Sequence, residues 1–206
     1  VIDAELVERL LDIVQDGHSD LEPMIKFIKN TYKNPSANSR RQLYKFIANK
    51  GMPITKDGMI LGYKGVSEDY MDRHSRKFNN TVGTTNKMKR RLVDDNPDNH
   101  CSAGFHIGSK EYADNWGGCD GRLMICQYNP KDAVSVPNEH GCQKLRVSKY
   151  TIIREVDQAD RDQDIFKSAV YDAENHMDVI GSVDTDVELE HPDCLLYTSP
   201  SPRDVE

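Results

Sequence analysis

No apolar run in this chain is long enough to cross a membrane as a helix, and no basic, apolar leader opens it. It starts at Val1 instead of Met, which reads as a fragment. Aromatics are sparse, at 7% of 206 residues. The cysteines, five in number, contain no Cys-x-x-Cys pair, so the default is a set of reduced cytosolic thiols. Without paired ligand spacing, only one zinc arrangement is left to consider: Cys101, Cys119 and Cys142 with His106 or His140. What the chain has in quantity is charge, at 30% of residues, and 206 residues suffice for one well-buried domain plus something smaller.

That charge is unevenly placed. Residues 157–193 carry twelve Asp and Glu against Arg161 and Lys167, net −10. They read as an acidic, mobile tail making few contacts with the body. Residues 194–206, Cys-Leu-Leu-Tyr-Thr-Ser-Pro-Ser-Pro-Arg-Asp-Val-Glu, back-translate as a sequencing adapter and are set aside as an artefactual tail. The remainder, 1–156, carries net +4.

Helical periodicity dominates residues 1–51. Ile2, Leu6, Leu10, Ile13 and Val14 keep a 3.6-residue spacing, and Leu21, Met24, Ile25 and Ile28 repeat it. Ser39–Lys50 follows, with Leu43, Phe46 and Ile47 inward and Gly51 as its stop. Such a bundle could present Lys26, Lys29, Lys33, Arg40, Arg41, Lys45 and Lys50 to DNA. No helix shows a clean basic stripe, however, so nucleic acid is not an expected partner.

From Met52 the period becomes two. A hairpin is expected around Asp57-Gly58, then strands at 59–66, 88–93, 105–107, 122–128, 133–136 and 146–156. One helix, Ser109–Trp116, lies among them, with Ser109 as N-cap. Helices followed by strands define an α+β fold: a helical segment over 1–51, then a mixed, mostly antiparallel core domain over 52–156. Phe105, Ile107, Leu123, Ile125, Val134 and Val136 are expected to share one buried sheet face, with Trp116 packed against it.

Candidate chemistry gathers at two places. The polar stretch Ser67–Gly83 holds Asp72, His74, Ser75 and Asn80, in the composition typical of functional loops. The run Cys101-Ser-Ala-Gly-Phe-His-Ile-Gly-Ser109 carries His106 on a short strand leading into a helix N-terminus, where backbone amides can meet an anion. Asp94-Asp95 reads either as turn chemistry or as a metal pair.

These blocks in this order carry a family likeness. Leu61-Gly-Tyr-Lys-Gly-Val66, Asp72-Arg-His-Ser75, Phe78-Asn-Asn80, Cys101-Ser-Ala-Gly-Phe-His106 and Asn129-Pro-Lys-Asp-Ala-Val-Ser-Val-Pro137 resemble the phage rIIB proteins over about Ser39 to Val156. Two positions depart from the pattern: Ile107 stands where an aromatic is usual, and Arg76 where glycine is usual, which puts a glycine-dependent turn in doubt. The resemblance implies a tailed-phage accessory protein of lysis inhibition and host/prophage interplay. It also implies an rIIA-type protein as partner, the host cytoplasm as location, and peripheral contact with the host membrane.

A second stretch, Gly104-Phe-His-Ile-Gly-Ser-Lys-Glu-Tyr-Ala-Asp-Asn-Trp116 followed by Arg122-Leu-Met-Ile-Cys-Gln127, looks like the strand–helix–strand of ADP-ribosyltransferases. That likeness implies an NAD or ADP-ribose site with Tyr63-Lys64 on its first strand and His106 at the nicotinamide. Glu155 is the one Glu of the last strand and does not sit persuasively for catalysis, so an inactive ligand-binding version is implied. Under that reading Tyr63, Lys64, Asp72, His74, Ser75, Asn80, His106 and Ser109 bind ligand. Tyr63, Lys64, His74 and His106 in particular should then converge on one cleft. No catalytic or metal residue is assigned.

Overall fold

The computed structural model describes residues 21–161, 165–166 and 170–171. The helix expected over 2–14 lies outside them. The first described helix, α1 (Glu22–Tyr32), carries Pro23 in its first turn, where a missing N–H costs nothing. Helix α2 (Ala37–Lys50) starts two residues before the expected Ser39. Its cap is Ser36, whose side chain accepts from the Ser39 amide, and Gly51 closes it at φ 60°.

The strands are β1 (Ile54–Thr55), β2 (Ile60–Val66), β3 (Thr85–Lys87), β4 (Phe105–Gly108), β5 (Arg122–Tyr128), β6 (Ala133–Ser135), β7 (Lys144–Val147), β8 (Lys149–Glu155) and β9 (Val170–Tyr171). Helix α3 (Lys110–Gly117) follows β4, and Ser109 caps it as the sequence predicts. The hydrogen-bonded order is β3-β8-β5-β2-β4-β7-β6, all antiparallel, with β1 between β2 and β9. The architecture is α+β.

Two strand expectations need correction. Residues 88–93 form no strand; Arg90–Leu92 is a 3₁₀ turn. Its cause is Arg90, whose guanidinium turns inward to donate to Asn34 Oδ1, Ser39 Oγ and the Lys131 and Ala133 carbonyls. The long strand expected over 146–156 is two strands broken at Ser148. Only Ser148 joins β7 to β8, yet three strands separate them in the sheet order, so the sheet curls back on itself.

Curling gives the sheet an inner and an outer face, both covered. The inner core joins Phe105, Ile107, Leu145, Val147, Tyr150 and Ile152 to Met24 and Phe27 of α1 and Leu43, Phe46 and Ile47 of α2. The outer core, under α3, contains Leu61, Tyr63, Ala113, Leu123, Ile125 and Val156. The single face expected from the alternation is therefore divided. Phe105, Ile107 and Val136 belong to the inner core, Leu123 and Ile125 to the outer one.

Trp116 is 48% exposed, not buried. The sheet meets α3 through Ala113 and Gly117 instead. Gly65 of β2 lies so close that a Cβ there would run into the Ala113 carbonyl and the Gly117 backbone. A seam this tight has no room for an indole, so Trp116 is turned outward.

The acidic stretch also departs from expectation where it is described. Phe166 stacks on Tyr63 with ring centroids 4.8 Å apart, and Arg161 donates to the Gly121 carbonyl and pairs with Asp114. Val179 and the rest of 172–193 lie outside the described residues.

Candidate functional site

Strand alternation settles the first question about the site. Tyr63 and Lys64 are neighbours on β2 and so leave it on opposite faces. Tyr63 enters the outer core. Lys64 points inward, its ammonium 5.1 Å from the Tyr150 ring centroid. Pairing between β2 and β4 is confined to Tyr63 and Gly108. Beyond that pair the strands part, and Lys64 Nζ spans the gap to donate to the His106 carbonyl at 3.2 Å. Burial lowers the Lys64 pKa, against the raising influence of Cys126 and Asp72.

His106 pairs in register with Arg146 of β7, so both side chains rise from the same face. Its Nε2 is buried without a hydrogen-bond partner. Burial, then the charges of Lys144, Lys64, Arg146 and His74, hold its pKa at about 3. The imidazole is therefore neutral at physiological pH. His74 is exposed and close enough for its charge to act on His106. The four residues expected in one cleft do not converge: His74 and His106 are near one another, while Tyr63 and Lys64 diverge through the sheet.

Arg146 was not among the sequence candidates, yet it is fully buried. It donates to the carbonyls of Asn96 at 3.0 Å and Asn99 and to Ser135 Oγ. Lys144 adds a bond to the His100 carbonyl at 2.7 Å. The two cations thereby clamp the 94–103 loop on β7. The only sequence sign was two basic residues at alternate positions beside Leu145 and Val147, which reads equally as a solvated strand face.

Asp72, Ser75 and Asn80 organise the loop that carries them. Asp72 accepts from the amides of Ser75, Lys77 and Phe78 at 2.6–2.9 Å, and from Ser75 Oγ. Burial would raise its pKa, but these bonds outweigh it and the carboxyl stays below its usual range. Asn80 accepts from the Tyr150 hydroxyl and donates to the Tyr70 and Phe78 carbonyls. Arg76 takes φ 60°, so the turn in doubt for lack of glycine is kept by an arginine. Ser109 Oγ is occupied by the Tyr112 amide.

Glu155 accepts from Tyr70 OH at 2.9 Å and from Arg122 at 2.8 Å, and Arg122 also stacks on the Tyr70 ring. The hydrogen bond to Glu155 raises the Tyr70 pKa. This group borders an open cleft with Glu68, Asp157 and Arg161. Strands β5 and β2 lie between β8 and β4, roughly 14 Å at ordinary strand spacing, so Glu155 and His106 belong to different places. Asp94 accepts from the Asn96 amide and Asn99 Nδ2, the turn reading of Asp94-Asp95. Cys101 and Cys119 are exposed, and among the described residues no three His, Cys, Asp or Glu gather as a metal would require.

A fold of this kind, with its polar residues committed to its own loops, defines a protein class by ancestry more than by a reaction centre. The chain belongs to the bacteriophage T4 rIIB family, whose model matches residues 2–173. Among curated proteins, it is similar to the protein rIIB of Enterobacteria phage T4, at 33% identity over 151 residues. That alignment covers 73% of this chain and 48% of the relative, so the chain spans about half the length of the curated relative it matches. No solved structure matches, and the ADP-ribosyltransferase likeness gains no support.

Proposed function

We propose that this phage rIIB-like protein is a non-enzymatic accessory factor of lysis inhibition and host/prophage interplay, acting by protein–protein contact. Its partner is an rIIA-type protein. It works in the host cytoplasm and reaches the membrane peripherally or through that partner. Among the described residues no helix is long and apolar enough to cross a membrane. The observation that carries the reading is Trp116, half exposed on α3 while the helix buries only Ala113 and Gly117. Exposed tryptophan is a preferred anchor of protein interfaces.

Titration calorimetry against an rIIA-type protein tests it. Wild type should bind, and Trp116→Ala should weaken binding at least tenfold while the thermal midpoint stays close to the parent's. Equal binding by the two proteins removes Trp116 as the anchor; no binding by the wild type removes the partner. A thermal-shift screen with NAD and ADP-ribose supplies the competing arm, since a nucleotide at one hundred times its Kd adds about 2.7 kcal/mol of stability.

A further inference from the structure

One cross-strand pair holds two buried donors with nothing to donate to. His106 of β4 and Arg146 of β7 are directly opposed in the antiparallel ladder and rise from the same face. Side chains so placed start about 5 Å apart at Cβ. His106 Nε2 and Arg146 Nε are both buried without a hydrogen-bond partner. The rest of the guanidinium is well supplied. Its Nη1 donates to the Asn96 carbonyl and Ser135 Oγ, and its Nη2 to the Asn99 carbonyl. Arg146 is 0% exposed, so bulk water does not serve its Nε. Buried donors are rarely left so, and two on paired positions call for one shared acceptor.

The charge around the pair sets the sign of that acceptor. The charges acting on the imidazole are those of Lys144, Lys64, Arg146 and His74, all positive. Lys144 donates to the His100 carbonyl and Lys64 to the His106 carbonyl, bonds that satisfy a donor without neutralising a charge. The carboxylates that act on this set are engaged in turns of their own. Asp94, which acts on Arg146, accepts from the Asn96 amide and Asn99 Nδ2. Asp72, which acts on Lys64, accepts the amides of Ser75, Lys77 and Phe78. We propose that this is a binding site for one phosphate-type oxyanion, held between His106 Nε2–H and Arg146 Nε–H in the field of Lys64 and Lys144. Hydrogen bonds from a cation to an anion are the stronger kind, and two donors on opposed strands fit two oxygens of one anion. His106 keeps partial exposure and His74 is exposed, so the site opens to solvent on that side. The same chemistry suits free phosphate or the phosphate group of a larger ligand.

The test is imidazole ¹⁵N NMR of the full chain, titrated with inorganic phosphate, with adenosine monophosphate and, at equal ionic strength, with chloride. Phosphate should move the His106 Nε2 resonance saturably and raise the thermal midpoint, and chloride should do neither. Tighter binding of the monophosphate assigns the site to the phosphate group of a larger ligand; equal binding assigns it to the free oxyanion. His106→Leu should abolish the midpoint rise, whereas His106→Gln, whose amide places an N–H near the level of Nε2, should keep it. Lys64→Met leaves both donors in place and should weaken phosphate roughly tenfold, about the worth of one contact to a charged group. Arg146→Met removes the loop clamp as well as the donor, so the other three variants carry the test. Three results would overturn the site: no saturable shift of His106, as when ordered water serves the two nitrogens; an equal response to chloride; or a midpoint rise that survives in His106→Leu. Because Trp116 is on α3, its binding assay stands or falls independently of this one.

Discussion

At the residue scale, Arg76 shows what a family's usual residue contributes. Its φ of 60° is the left-handed region, which costs a side-chain-bearing residue about 1–2 kcal/mol. The turn survives because Asp72 gathers the amides of Ser75, Lys77 and Phe78 around one carboxylate, and because Arg76 pairs with Asp69 at 2.5 Å. That pair is exposed on both sides and worth little. Arg76→Gly should therefore be more stable than Arg76→Ala by about 1 kcal/mol, since both lose the pair and only glycine relieves the backbone. Urea unfolding of the two variants decides it. Equal midpoints at equal slopes would mean that the turn bears no strain.

At the element scale, α3 is held by the absence of side chains. Gly65 on β2 and Ala113 and Gly117 on α3 let backbone approach backbone. Gly65→Ala should push the helix off the outer core and cost about 1–3 kcal/mol, in the manner of an overpacked interior. Trp116→Ala, with the indole outside, should cost less than about 1 kcal/mol. Thermal or urea unfolding of both variants checks the order, and the reverse order would move Trp116 back to the sheet. The sequence allowed α3, its Ser109 cap, the Asp57-Gly58 hairpin and β5 to be read, because those depend on local chemistry. It did not allow the division of Phe105 and Ile107 from Leu123 and Ile125. When both faces of a sheet are covered, all residues are buried and a period of two no longer sorts them. The break at Ser148 was hidden for a similar reason, since 144–155 is strand-like on either side. Of the candidate site, the loop residues were visible as polar types, but their use as one another's partners depends on contacts such as Asn80 with Tyr150, seventy positions apart.

At the scale of the whole molecule, helices and sheet form one interlocked body. Asn34 donates to the Pro130 and Ala133 carbonyls, Ser39 to Val134, and Arg90 reaches both Asn34 and Ser39. Unfolding of the described body should thus be a single transition, and its pH dependence reports the buried titratable groups together. His106 dominates one window. Its folded pKa of about 3 lies below the ordinary 6.5, so between those values the unfolded chain takes up a proton that the folded chain refuses. The stability His106 contributes is complete above pH 6.5 and is lost as pH falls toward 3, at up to about 1.4 kcal/mol per pH unit. Asp72 has the same sign but acts lower: its depressed carboxyl adds stability that disappears only below the ordinary carboxylate pKa. Asp132 is raised by burial, so it acts the other way, its penalty easing as pH falls. Comparing wild type with His106→Gln cancels both carboxylates. Denaturant midpoints from pH 7 to 4 should fall more steeply for wild type than for the variant, and the two curves should draw together toward the acid end. Parallel curves over that range would mean that His106 takes up its proton within the folded protein, leaving the neighbourhood of Lys144 and Arg146 open enough to solvate a third cation.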